Sequence, residues 1–150
     1  MIEPGKGQDG GREPLTTSAK RLPSPFLRRA VLLRHECGTG SHFDWMMEDP
    51  AEPANPAGPL LTWRTAEPSW RWAELGRIEM EQIGAHRRDY LVIEGELSGG
   101  RGTVHRVDEG TATAHRWTED GGLVDLHLHH FRGTVTMQQT GGKTWELRVI

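Results

Sequence analysis

The sequence predicts an all-β domain, a small barrel or sandwich of short antiparallel strands, behind a disordered N-terminal tail. Three observations predict it. Beyond residue 100, strand-like segments follow one another at roughly ten-residue spacing, the rhythm of barrels and sandwiches. Turn-forming clusters punctuate them: Glu109-Gly110, Glu119-Asp120-Gly121-Gly122 and Gly141-Gly142. The first 28 residues, by contrast, are Gly, Pro and charge, with too little apolar surface to offset their ordering entropy.

Residues 1–28 therefore read as the tail and 29–150 as the domain. Within the tail's end, Lys20, Arg21, Arg28 and Arg29 form a basic arm that suits a phosphate backbone. Ala30-Val31-Leu32-Leu33-Arg34 is a short apolar run of strand composition, closed by His35. Gly38, Gly40 and Ser41 mark a turn, and residues 42–47 read as a strand with mixed faces. A proline-rich loop fills 49–59, and Leu60-Leu61-Thr62-Trp63-Arg64 is another strand. Residues 66–76 are ambiguous, with Trp70 and Trp72 at strand-like alternation. Ile78 and Met80 alternate in a strand over 77–83, and Tyr90-Leu91-Val92-Ile93 reads as a clearer one. Ser98-Gly99-Gly100-Arg101-Gly102 is a tight loop that needs unusual backbone angles. Strands are expected near 102–108, 111–117, 123–129, 131–138 and 143–149.

Composition narrows the function classes. Net charge is −3, so there is no overall basic footprint, and any nucleic-acid contact must come from arginines gathered at one place. One cysteine, Cys37, excludes an intrachain disulfide and a cysteine-based zinc site. No apolar run is long enough for a membrane span, and the N-terminus has no signal-peptide core, so a cytoplasmic protein is expected.

The eight histidines are the main chemical oddity, because imidazole is a common metal ligand. His42 and Asp44 are two apart on a strand and project from one face. His35 ends the preceding strand across a short turn, so the three can converge. Two imidazoles and a carboxylate suit Mn²⁺, Fe²⁺ or Zn²⁺ and leave positions for water or a substrate oxygen. On spacing alone, such a pair is more often a solvated polar face than a metal site. His127 and His129 share a strand face in His127-Leu128-His129-His130, either as a second metal pair or as an exposed polar face. His86, beside Arg87 and Arg88, fits a surface turn or a phosphate contact. The Gly99–Gly102 loop suits a hairpin turn or a backbone phosphate cradle.

In order, these motifs resemble the 3′-phosphoesterase module of the bacterial DNA ligase D family, over roughly residues 29 to 150. The resemblance is carried by Leu33-Arg34-His35, His42-Phe43-Asp44-Trp45 with Glu48, Leu61-Thr62-Trp63, and His86 with Tyr90 and Glu94-Gly95. Gly100-Arg101-Gly102-Thr103-Val104 and Trp145-Glu146-Leu147-Arg148 complete it. It implies a β-barrel and a Mn²⁺-dependent hydrolase that removes a 3′-terminal phosphate or ribonucleoside from DNA or RNA primer ends during DNA repair. It also implies that His35, His42 and Asp44 bind the metal and that His86 contacts the scissile phosphate. A ligase or polymerase acting in trans is the implied partner. The chain departs from the family where Met46 replaces an arginine and Gly84 an acidic residue. Arg64, Arg77, Arg88 and Arg101 are the candidates to replace the lost cation. Two other classes fit the same residues: a non-catalytic module that binds nucleic-acid ends, and a β-barrel oxygenase using iron.

Overall fold

A computed structural model describes residues 27–52 and 58–150. Most of the predicted tail, and residues 53–57 of the proline-rich loop, lie outside the described residues. The strands are β1 (Arg28–Cys37), β2 (Gly40–Glu48), β3 (Leu60–Thr65), β4 (Arg77–His86), β5 (Gly95–Glu96), β6 (Thr103–Thr118), β7 (Gly121–Leu128), β8 (Arg132–Gly141) and β9 (Thr144–Val149). They pair antiparallel in the order β1-β2-β3-β4-β9-β8-β7-β6, and β1 pairs again with β6. The sheet thus closes into an eight-stranded barrel, leaving only the two-residue β5 laid along β6. Closure removes the exposed edges that an open sheet of this length would present.

The alternation of side chains fixes which residues fill the barrel. Leu32, Trp45, Trp63, Met80, Trp117, Val124, Leu126, Met137, Trp145 and Leu147 all point inward and are buried. Trp63 packs edge-on against Trp145 and Trp117, with ring centroids 5.3 and 6.3 Å apart. The buried indole nitrogens of Trp45, Trp63 and Trp145 have no hydrogen-bond partner.

A second apolar cluster lies on the outside of the wall. Val31, Leu33, Met46, Leu60 and Val104 project outward and are covered by Tyr90 and Leu91. The wall of β1, β2 and β3 is therefore buried on both faces over part of its length. This is why Ala30 to Leu33 is uninterruptedly apolar rather than alternating.

Several expected elements differ. Residues 90–93 are not a strand: Arg88–Leu91 forms a 3₁₀ turn, and its apolar residues Tyr90 and Leu91 are buried as the cover of the outer cluster. The segments 102–108 and 111–117 form one strand, Thr103–Thr118. Gly110 is not a turn residue but a point of close approach, since a Cβ there would lie 2.0 Å from the His127 carbonyl oxygen. Register shifts opposite Leu32/Leu33 and between Ala114 and Arg116 let this long strand bend around the barrel. Trp70 and Trp72 sit in a 3₁₀ turn (Ser69–Arg71) and one α-helical turn (Trp72–Leu75) ended by Gly76 at φ 75°. β1 runs two residues beyond His35, to Cys37, and begins at Arg28 rather than at residue 29. Arg28 is buried, and its guanidinium donates to the carbonyls of Asp49 and Glu52 at 3.3 and 2.8 Å. Among the described residues, no helix is long and apolar enough to cross a membrane.

Candidate metal centre

The β1–β2 hairpin brings the predicted ligands together. His35 pairs with His42, Leu33 with Asp44, and Cys37 with Gly40. Directly opposed residues project from the same face of a sheet, so His35, His42, Asp44 and Cys37 share one face. It is the outer face, because Leu33 and Met46 on the same parity belong to the outer cluster. The imidazoles of His35 and His42 meet edge to face, with centroids 5.0 Å apart.

Asp44 lies at the middle of the group and is only 3% exposed. Its carboxylate oxygens stand 3.3 Å from His42 Nε2, 3.8 Å from His35 Nδ1 and 3.7 Å from Arg64 Nε. Yet His42 Nε2 and Asp44 Oδ1 are buried, and neither makes a hydrogen bond of acceptable geometry. The two atoms face each other at 3.3 Å, so each has the other as its neighbour without a well-aligned hydrogen bond. Burial pushes the His42 imidazole below its ordinary value, against the opposing pull of Asp44. The positive charge of Arg64 and the neighbouring His35 lower it further. A neutral imidazole at neutral pH is the form that binds a metal.

His35 is oriented from behind. Its Nε2 lies 2.7 Å from the carbonyl oxygen of Arg101. A carbonyl only accepts, so Nε2 carries the proton and Nδ1, facing Asp44, keeps its lone pair. The loop reaches His35 because Gly102, at φ +95°, lets the chain lie against β1. A Cβ there would fall 2.1 Å from the Glu36 carbonyl oxygen.

Cys37 stands beside His35 and His42, although the single cysteine was expected to take no part in a metal site. One ligand atom from each of His35, Cys37 and His42 lies within 4.8 Å of the others. A lone thiol suffices for a mixed site when two imidazoles stand beside it. The signal was in the sequence, because Cys37 is two residues from His35 on the same strand. It escapes notice if β1 is taken to stop at His35.

The other candidates are placed as follows. Arg64 is at the site, paired in register with Asp44 across β2 and β3. Arg101 is beside it through its backbone, while its guanidinium folds back on Ser98, 2.8 Å from the carbonyl. Arg88 is tied to Glu48. Arg77 pairs with Glu146 at 3.2 Å, against β9. His86 is paired with Leu60, four residues along β3 from Arg64. At strand rise that is roughly 13 Å from the Asp44 row. Its Nδ1 contacts the Gly84 carbonyl at 2.9 Å, and its ring packs on Tyr90. Met46 is fully buried in the outer cluster. β7 ends at Leu128, so His127 and His129 share no strand face. His129 and His130 instead donate their backbone N–H groups to Asp108.

Fold and site together define a closed antiparallel β-barrel with a candidate metal centre on its outer wall. No protein-family model matches the chain, and no curated protein matches it.

Proposed function

We propose that this protein is a metal-dependent phosphoesterase acting on the 3′ ends of DNA or RNA, in repair reactions that need a 3′-OH. The observation that carries the reading is the clustering of His35, His42 and Asp44 beside Arg64, on an outer wall that a polynucleotide can approach. The mixed nitrogen and oxygen donor set fits a divalent cation, with Mn²⁺ the expected ion and Zn²⁺ or Fe²⁺ the alternatives. When bound, such an ion lowers the pKa of a water and screens phosphate charge.

The chain's own groups do the rest. His35, held by the Arg101 carbonyl, presents Nδ1, and His42, kept neutral by burial, presents Nε2. Asp44 supplies negative charge where the imidazoles meet. Arg64, about half exposed, turns one side to Asp44 and the other to solvent, where a phosphate oxygen can accept from it. Its fixed positive charge stabilises the charge that grows on the phosphate in the transition state. His86 and Arg88 lie further along the same wall and serve a more distant part of an extended substrate. A ligase or polymerase in trans would use the 3′-OH produced.

The test is phosphate release from a 3′-phosphate primer–template with Mn²⁺. Wild type is expected to release phosphate, and His42→Ala to lose at least about 100-fold, the scale of removing a metal ligand's contribution. Equal release from both proteins, or none from either, sinks the catalytic reading. A specific observation favours a second reading, a non-catalytic module that binds nucleic-acid ends. Met46 is sealed in an apolar cluster at the position where the resembled family carries arginine. End-dependent binding of the same substrate without turnover would select it.

A further inference from the structure

We propose that Cys37 is a metal ligand and that the hairpin binds Zn²⁺ in preference to Mn²⁺, through His35, Cys37 and His42, with Asp44 as the carboxylate behind the two imidazoles. The inference rests on the metal-binding part of the reading above and changes the ion that part favours.

Three observations carry it. One ligand atom from each of His35, Cys37 and His42 lies within 4.8 Å of the others. Asp44, 3% exposed, sets Oδ1 3.3 Å from His42 Nε2 and Oδ2 3.8 Å from His35 Nδ1, a buried negative charge beside both imidazoles. His35 donates Nε2–H to a backbone carbonyl, which fixes the tautomer whose free lone pair faces the group.

The distances suit a four-coordinate ion. Ligands at about 2.0–2.3 Å from a tetrahedral centre stand about 3.3–3.8 Å apart; the ligand atoms of His35, Cys37 and His42 lie within 4.8 Å of one another, so a modest closing fills three positions and leaves the fourth open. Cys37 is the ligand that must close in. Gly40 opposite it has no side chain, and a Cβ built there meets nothing within 4 Å, so that side of Cys37 is open. The Cys37 thiolate, with the Asp44 carboxylate beside the imidazoles, also offsets the two charges of the ion. Thiolate favours Zn²⁺ over the harder Mn²⁺, which prefers oxygen. A donor set of two imidazoles and a carboxylate alone would not make that choice.

The single cysteine makes the test direct. In the full-length, metal-free protein, thiol titration with a chromogenic disulfide reads Cys37 alone. Stoichiometric Zn²⁺ is expected to slow that reaction at least about tenfold, since a metal-bound thiolate is a poor nucleophile, while Mn²⁺ leaves it unchanged. Co²⁺ in place of Zn²⁺ should give a thiolate-to-metal charge-transfer band that Cys37→Ser abolishes. The same substitution should weaken Zn²⁺ binding by about 10–100-fold, on the scale of losing a supporting ligand. Unchanged thiol reactivity under Zn²⁺, or a Co²⁺ spectrum identical in wild type and Cys37→Ser, overturns the inference. Because the titration uses the wild-type chain, it decides the matter even where the variant folds poorly. Thiol protection without phosphate release supports this inference and sinks the catalytic one. Phosphate release with an unprotected thiol does the reverse.

Discussion

Asp108 is a carboxylate 3% exposed with no basic side chain in ion-pair range among the described residues. Donors hold it instead: Ser69 Oγ at 2.5 Å and the backbone N–H groups of Glu109, His129 and His130 at 2.8 to 3.3 Å. It ties the 3₁₀ turn and the β7–β8 connection to β6. Asp108→Ala strips the acceptor from the buried Ser69 hydroxyl and from three part-buried N–H groups and is expected to cost about 1–3 kcal/mol, read as a lower urea midpoint at constant slope. A loss under about 0.5 kcal/mol, the level of ordinary surface changes, would show that water replaces the carboxylate. Asp125 shows the pH side of the same chemistry. The Thr134 hydroxyl at 2.6 Å, and then His115 at 2.7 Å, hold its carboxyl below its ordinary value of 3.8. A depressed folded pKa means stability that is full above 3.8 and lost as pH falls through the folded value. Thr134→Val should therefore cost about 0.5 kcal/mol at pH 7, a small figure because Asp125 is half exposed, and the difference should shrink in acid. A difference that stays constant on acidification would contradict this. At this scale the sequence was most informative where spacing alone determines geometry. His42 and Asp44, two apart on a strand, had to share a face. Asp108 carried no such signal, because its partners come from three separate segments.

The β1–β2 hairpin was legible because its register follows from a short turn and an apolar run. The wall residues on β4 and the covering 3₁₀ turn were less so. Tyr90-Leu91-Val92-Ile93 has strand composition, but its burial comes from lying across the wall, and Val92 is 68% exposed. Local propensity yields there to a tertiary contact. Glu109-Gly110 has hairpin composition, yet the chain passes straight through because Gly110 touches the backbone of β7. The 98–102 loop is an element whose role a sequence leaves open among turn, cradle and brace. Its structure makes it a brace. Gly102→Ala forces the loop off Glu36 and takes the Arg101 carbonyl from His35. Metal affinity, measured by calorimetric titration, should fall about 10–100-fold, as for loss of a supporting hydrogen bond. Gly100→Ala is the matched control: Gly100 also has a positive φ, +69°, but a Cβ there meets nothing. Equal affinities for the two variants would mean that backbone strain, not the brace, governs the site.

For the molecule as a whole, the consequence of closing the barrel is a wall with two apolar faces. Inside, Leu32 packs among the tryptophans; outside, Leu33 packs under Tyr90 and Leu91; both are fully buried. The outer cluster is continuous with the candidate centre, since Leu33 is directly opposite Asp44, one rung below His35 and His42. A patch that merely shielded a few surface side chains would matter little to stability. One that anchors the 88–102 segment to the barrel should matter as much as the interior. Leu32→Ala and Leu33→Ala are therefore both expected to cost about 2–5 kcal/mol, the range for emptying a buried leucine site. They should differ in what else they disturb. Leu33→Ala loosens the floor beneath Asp44 and the cover that leads into the Arg101 brace, so it should weaken metal binding at temperatures where the protein is still folded. Leu32→Ala, facing the lumen, should lower stability and leave affinity for the ion close to wild type. Denaturant melts and metal titration on the two proteins separate the outcomes. A Leu33→Ala cost under about 1 kcal/mol would reduce the outer cluster to a surface patch. Equal losses of affinity would mean that the hairpin depends on barrel stability in general rather than on the wall beneath it.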